Sequence, residues 1–294
     1  MSAPDHDSSS SPVLITPALL REVPLPEPGS SKSDRGDVLV IGGARRTPGA
    51  AALTGMAALR VGAGRLTLAV AESVAAGLAA SFFEAGVVGL EETPRGSVRG
   101  TGLGPLREEI EGADCIVIGP GLDDADGTLV LLENIAPLLP DGVTLVLDAF
   151  ALGVLPKASA MRAAAAGRVV LTPNGAEAQR LLDRESGETL DDARAIAERY
   201  QAVVGMKSFV VEPDGAAWEV STGHPGLGTS GSGDVLAGAI AGLLARGASA
   251  GDAARWASYL HAAAGDRLIS RIGPLGYLAG ELTEELPVVL RELS

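Results

Sequence analysis

The sequence predicts a three-layer α/β domain, with a central, mostly parallel β-sheet flanked by helices. Three observations lead there. Short β-rich apolar runs alternate with longer Ala/Leu-rich stretches of helical length. The runs are apolar at successive positions, as in strands buried on both faces. Glycine and polar clusters follow several of the runs, where a doubly wound sheet carries its ligand loops.

The elements follow in order. Residues 1–34 are rich in Ser, Pro and Asp and read as an N-terminal arm, partly ordered around residues 14–20. Strands are predicted at residues 37–41, 65–70, 115–118, 143–147 and 168–171. Helices are predicted at residues 49–61, 129–139, 190–203, 252–269 and 278–293. Residues 208–221 contain two strand-like runs around Asp214-Gly215, the pattern of a hairpin, expected at or near a sheet edge. With no internal repeat and no linker, residues 35–294 read as a single domain.

Composition bounds the function. The chain of 294 residues is 46% hydrophobic, ample for a large core. No uninterrupted apolar stretch is long enough for a membrane span, and the first dozen residues lack the regions of a signal peptide. The single Cys115 excludes an intrachain disulfide and fits a cytoplasmic protein. A net charge of -14 argues against nucleic acid and anionic membrane, and 3% aromatic residues are too few for base-stacking platforms. A small-molecule substrate is expected instead.

The most informative segment is LGTSGSGDVL at residues 227–236. Gly228, Gly231 and Gly233 crowd a loop that runs into an apolar helix. Such a junction aims free N–H groups and a positive helix end at one point and favours a bound anion. A carboxylate there repels a phosphate, unless Asp234 takes a proton from a hydroxyl that attacks a phosphoryl group. The plainer reading is that Asp234 or Ser232 caps the helix.

Other loops are ambiguous taken singly. Gly42-Gly43 follow the first strand, and Gly119-Pro120-Gly121 follow strand 115–118. Asp148, ending strand 143–147, suits either a ribose or Mg-bound water contact or a helix cap. Asn174 and Glu177 share a helix face: either a capping box, or a pair suited to a hydrated Mg²⁺. His224 reads as a turn residue and His261 as a packed one; His6 lies in the arm. No cluster has zinc spacing, and Thr229 stands where a hydrolase elbow needs its nucleophile.

Taken together, PGAAALTGMAALRVGAG (48–64), IGPGL (118–122), LDAFAL (147–152), LTPNGAE (171–177) and GHPGLGTSGSGDVLAG (223–238) resemble the ADP/ATP-dependent NAD(P)H-hydrate dehydratases of the ribokinase-like superfamily. The likeness runs from about Thr16 to Leu293 and is to a stand-alone dehydratase, without the epimerase domain many relatives carry. It implies a ribokinase-like fold and a repair reaction. ADP or ATP phosphorylates the hydroxyl of hydrated NADH or NADPH, and loss of phosphate restores NAD(P)H. It further implies that Asp234 is the catalytic base, with Gly231, Ser232 and Gly233 forming the anion hole. Ala50, Gly121, Asn174 and Asp234 would line the hydrate pocket. The nucleotide would lie between Gly233 and a loop of Val204, Gly205, Met206, Lys207 and Ser208. Mg²⁺ would be held by phosphates and water, with Glu177 in an outer shell. A homo-oligomer is also implied, and stand-alone members suggest ADP.

Two departures stand out. Relatives usually carry His-Pro-Gly-Glu where this chain has Asn174-Gly175-Ala176-Glu177, which matches the N-x-x-E of sugar and vitamin kinases in the superfamily. Relatives also show Lys-Gly where this chain has Val204-Gly205, with Lys207 displaced. The alternative function is a kinase of a small hydroxylated metabolite, such as a thiamin-pathway alcohol. A non-catalytic nucleotide-binding module is disfavoured, because a binder gains nothing from a carboxylate aimed at phosphate.

Overall fold

The computed structural model describes residues 11–27 and 29–293. His6 and the first ten residues of the expected arm lie outside the described residues. The strands are β1 (Val13–Ile15), β2 (Asp37–Ile41), β3 (Arg65–Ala71), β4 (Gly86–Leu90), β5 (Cys115–Ile118), β6 (Thr144–Leu147), β7 (Val169–Leu171), β8 (Val203–Met206), β9 (Phe209–Val211) and β10 (Ala217–Val220). They form one sheet in the order β1-β10-β9-β8-β7-β6-β5-β2-β3-β4. Pairing is parallel except for β8–β9 and β9–β10.

Side-chain alternation builds the three layers. Along β2, Val38 and Val40 enter one core and Leu39 and Ile41 the other; Cys115 and Val117 of β5 oppose Ile116 and Ile118 in the same way. The first core is closed by α1 (Pro17–Glu22), α2 (Pro48–Arg60), α10 (Ser232–Ala245), α11 (Ala250–Arg271) and α12 (Ala279–Leu293). The edge crossover between β3 and β4 is α3 (Glu72–Ser81). The second core is closed by α4 (Arg107–Gly112), α5 (Ala125–Ile135), α6 (Phe150–Val154), α7 (Ser159–Ala165), α8 (Gly175–Leu182) and α9 (Leu190–Tyr200). Cys115 is buried, which pushes its thiol up to about 12 and removes it as a nucleophile.

Two expectations change. The helix expected over residues 190–203 ends at Tyr200; Gln201 turns left-handed at φ 49° and Val203 begins β8. The β-branched pair Val203-Val204 lies between β7 and β9, where sheet burial outweighs helical continuity. The predicted loop over residues 204–208 is therefore mostly strand: Val204, Gly205 and Met206 are buried, and only Lys207 and Ser208 form a turn, with Lys207 at φ 56°. The hairpin turning at Asp214-Gly215 lies next to the edge, as expected, and β1, within the expected arm, forms the edge itself by parallel pairing with β10.

The topology sets the site. From β2 the chain moves outward through β3 and β4, then returns to place β5 on the other side of β2. The strand order reverses there, and the loops leaving the carboxyl ends of β2 and β5 diverge around a crevice.

Candidate active site

The two crevice loops are stitched into one platform. Gly43 N–H donates to Pro120 O at 2.8 Å, and Ala44 N–H to Gly121 O at 2.8 Å. The Thr47 hydroxyl also donates to Gly121 O, at 2.7 Å. A Cβ on Gly42 would meet Pro120 O at 2.0 Å, so the close approach requires glycine. Gly121 adopts φ +74°, and a Cβ there would lie 3.1 Å from the Ala50 Cβ. Ala50, in the first turn of α2, and Gly121, after β5, thus become neighbours.

Asp234 reaches the same place through helix packing. A Cβ on Gly238 would lie 2.0 Å from Thr54 O, and one on Gly242 would lie 2.4 Å from Ala58 O. These glycines, one turn apart on α10, seat it directly on the backbone of α2, with both helices running the same way. One turn earlier on each helix, Asp234 comes level with Ala50. Both helix N-termini open on the crevice, so two positive helix ends converge.

The α10 terminus is uncapped by side chains. Its N-cap is Gly231, at φ +88°. Ser232 N–H donates to Thr229 O at 3.2 Å, whereas the N–H groups of Gly231, Gly233 and Asp234 have no partner among the described residues. No hydrogen bond to the Asp234 carboxylate occurs among the described residues either. A helix cap bonds the N–H groups of its own first turn; neither Asp234 nor Ser232 does so. Ser232 is held from below: the His261 Nε2 lies 2.9 Å from its hydroxyl and 3.0 Å from its carbonyl oxygen. Burial pushes His261 down to about 4, so it stays neutral. The sequence marked His261 as packed and missed this contact, which no spacing signal reveals.

Three carboxyls gather around the crevice. Asp148, at the end of β6, is buried and accepts from the Thr172 hydroxyl at 2.8 Å. Burial raises it to about 6, and hydrogen bonds from Thr172 and the Ala149 backbone moderate the rise. Glu177 is raised to about 7, chiefly by burial, with the Asp148 charge adding to the effect. Asp234 is raised to about 7 by burial first and Asp148 second. Asp148 therefore links the other two. The residue after it, Ala149, sits at φ 50° and ψ -122°, a strained backbone for a residue with a Cβ.

Asn174 and Glu177 form the capping box. Glu177 N–H donates to Asn174 Oδ1 at 3.0 Å, and Asn174 N–H donates to Glu177 Oε2 at 2.9 Å. Glu177 also borders a cavity of about 330 Å³ with Leu122, Ala149, Phe150 and Arg180. Among the described residues no three His, Cys, Asp or Glu side chains converge closely enough to cage a metal ion. Gly205 sits beside Thr172, with Lys207 exposed in the turn beyond. His224 is exposed and accepts from Gly226 N–H at 3.1 Å, a turn role.

Comparisons with known proteins identify the family. The family model described as NAD(P)H-hydrate dehydratase matches residues 38–288. An ADP-dependent (S)-NAD(P)H-hydrate dehydratase of Xanthomonas campestris is 45% identical over 95% of this chain and 96% of its own length. A bifunctional NAD(P)H-hydrate repair enzyme of Moorella thermoacetica is 38% identical; 96% of this chain matches 54% of that protein, so this chain spans about half of it. Among solved structures, a ribokinase-like superfamily protein of Enterococcus faecalis superposes with a TM-score of 0.81 at 26% identity, covering 100% of this chain and 99% of that one. An ADP/ATP-dependent NAD(P)H-hydrate dehydratase of Bacillus subtilis, co-crystallised with ATP and Mg²⁺, superposes with a TM-score of 0.75 at 26% identity, covering 97% of this chain and 100% of that one. With its ribokinase-like sheet and its glycine-rich α10 terminus, the chain belongs to the NAD(P)H-hydrate dehydratase family.

Proposed function

We propose that this chain, through a single catalytic domain that includes β1 and α1 of the N-terminal arm, dehydrates hydrated NADH or NADPH at the expense of ADP or ATP. The observation that carries this reading is Asp234: an unpartnered carboxylate beside free N–H groups, level with Ala50 and Gly121. Asp234 removes the proton from the hydrate hydroxyl. The hydrate oxygen attacks the terminal phosphorus of the nucleotide, and the bond to the leaving nucleotide oxygen breaks. The N–H groups around Gly231, Ser232 and Gly233 hold the charge on the transferred group; Gly231, Gly233 and Asp234 supply the free donors. The ring C–O bond then breaks with its electron pair leaving on phosphate, the adjacent ring carbon gives its proton to solvent, and the reduced nicotinamide is restored. Ala50, Gly121 and Asn174 line the substrate side. Lys207 and Ser208 contact the nucleotide from the β8–β9 turn, and Val204, Gly205 and Met206 support that turn from within the sheet.

The oxygen donors present fit a hydrated Mg²⁺. Burial raises the Asp148, Glu177 and Asp234 carboxyls, and the Asp148 charge raises the other two further, a state that a nearby cation relieves. Glu177 would hold such an ion through water, and the ion would supply charge neutralisation for the phosphates. Glu177→Gln retains the capping box and removes the charge. It is expected to raise the Mg²⁺ concentration for half-maximal turnover about tenfold. An unchanged Mg²⁺ dependence, measured by titration at fixed nucleotide, returns Glu177 to a capping role alone.

A base near 7 also predicts a pH profile. Activity is expected to rise with pH through about 7 as Asp234 loses its proton. Asp148→Asn removes a repelling charge, so the acid limb of kcat/KM is expected to move to lower pH, by up to about one unit. A limb that stays in place shows that Asp148 does not act on Asp234.

The reading includes a cytoplasmic homo-oligomer. Exposed Leu275 and Leu278 support the oligomer, and no described helix is long and apolar enough to cross a membrane. The decisive test incubates the chain with hydrated NADH or NADPH, Mg²⁺ and either ADP or ATP. Recovery of reduced-nicotinamide absorbance with equimolar phosphate supports the reading. A stable phosphate ester without recovered absorbance identifies a kinase instead.

A further inference from the structure

A second cavity, of about 700 Å³, lies at the opposite ends of α2 and α10 from the active site. Its walls come from α1 and the segment after it, the carboxyl ends of α2 and α10, and helices α11 and α12. Arg21, Arg35, Arg60 and Arg246 line it, against one carboxylate, Glu27. This is the reverse of the chain as a whole, which carries 37 acidic and 23 basic residues.

None of the four arginines pairs with an Asp or Glu among the described residues, although eight other arginines do. Arg246 is held in place by two backbone carbonyls, Val61 O at 2.8 Å and Pro26 O at 3.1 Å. Its Nε is nevertheless buried without a partner, and so is the Nε of Arg35. Burial and the Arg35 charge push Arg246 below its ordinary value. A guanidinium does not lose its proton in a protein, so the charge persists. Two neighbouring half-buried cations, each with a buried and unused Nε donor, are unfavourable without a counter-charge. A planar oxyanion or a phosphate satisfies such donors in pairs. The rest of the wall is apolar, including Leu20, Trp256 and Leu293, and the Trp256 indole N–H is already bound to Val23 O.

We propose that this cavity binds a small organic anion, its phosphate or carboxylate head held by Arg35, Arg60 and Arg246 and its apolar body seated against Leu20, Trp256 and Leu293. The ligand is distinct from the nucleotide at α10, because the two openings lie at opposite ends of that helix.

Calorimetric titration of the full chain, with ADP saturating, tests this. The probes are 1-naphthyl phosphate, 1-naphthoate and neutral 1-naphthol. Saturable binding of one equivalent of an anionic probe, with naphthol at least about tenfold weaker, is expected. Tighter phosphate binding identifies an organic phosphate as the ligand class; tighter naphthoate binding identifies a carboxylic acid. Arg35→Gln and Arg60→Gln should each weaken the anion about tenfold while leaving the melting temperature and dehydratase turnover in place. Arg60 is exposed, so its variant folds even if Arg35→Gln does not. Absence of saturable binding, equal binding of naphthol, or an affinity unchanged in Arg60→Gln overturns the proposal.

Discussion

Asp234→Asn is expected to lower turnover of hydrated NADH by about 10²–10⁴ while nucleotide affinity is kept or improved. The amide keeps size and shape but cannot take the hydroxyl proton. It also removes a negative charge from beside the phosphates, so binding gains rather than loses. No hydrogen bond to the carboxylate exists among the described residues, so the substitution breaks no contact. Stability should change with pH in a defined direction. The folded Asp234 carboxyl is raised to about 7 from 3.8, so it holds its proton more tightly folded than unfolded. Its contribution to stability is full below about pH 4 and is lost as pH rises through 7. Asp234→Asn should therefore leave the melting temperature unchanged near pH 4 and raise it at pH 8. The gain at pH 8, reduced by the partial exposure of the group, is up to about 3 kcal/mol. Lost activity with lost stability at pH 8 would instead make Asp234 a structural residue.

Gly238→Ala is expected to lower kcat about 10²-fold although the residue lies a full turn from the chemistry. Its Cβ would meet Thr54 O at 2.0 Å. A backbone oxygen in a helix cannot swing aside, so α10 must move by more than 1 Å to reach ordinary contact. That shift carries Asp234 away from Ala50 and Gly121, and a misplacement of that size costs about 10² in rate. Overpacking should also destabilise the fold by about 1–3 kcal/mol. Denaturant unfolding and kcat measured on one preparation check both. Full activity in a folded Gly238→Ala protein would show that the contact between α2 and α10 does not position Asp234.

The strands at residues 37–41 and 115–118 were legible to the residue, because strands buried on both faces are apolar without interruption. Gly86–Leu90 was not, since glycine at two of its five positions weakens the strand signal. The change at Val203 from helix to strand was also hidden, because pairing with β7 and β9 decides it. The residues 13–22 read only as partly ordered, yet they supply the edge strand β1 and helix α1. His261 gave no sign of its contact with Ser232, which joins residues 29 positions apart.

By itself, the sequence determined the alternation of strand and helix, the glycine-rich terminus at 231–233 and the family resemblance. These are local properties: backbone freedom, hydrophobic period and the order of short motifs. Only the tertiary structure decided which loops meet. It set β2 beside β5, brought Gly121 against Ala50, and laid Gly238 on Thr54 so that Asp234 faces the crevice. It also showed that Asn174 and Glu177 cap α8, while Asp234 and Ser232 do not cap α10. The raised carboxyls have the same origin. Burial and the approach of Asp148 depend on distances between segments far apart in the chain, and no local pattern encodes those distances.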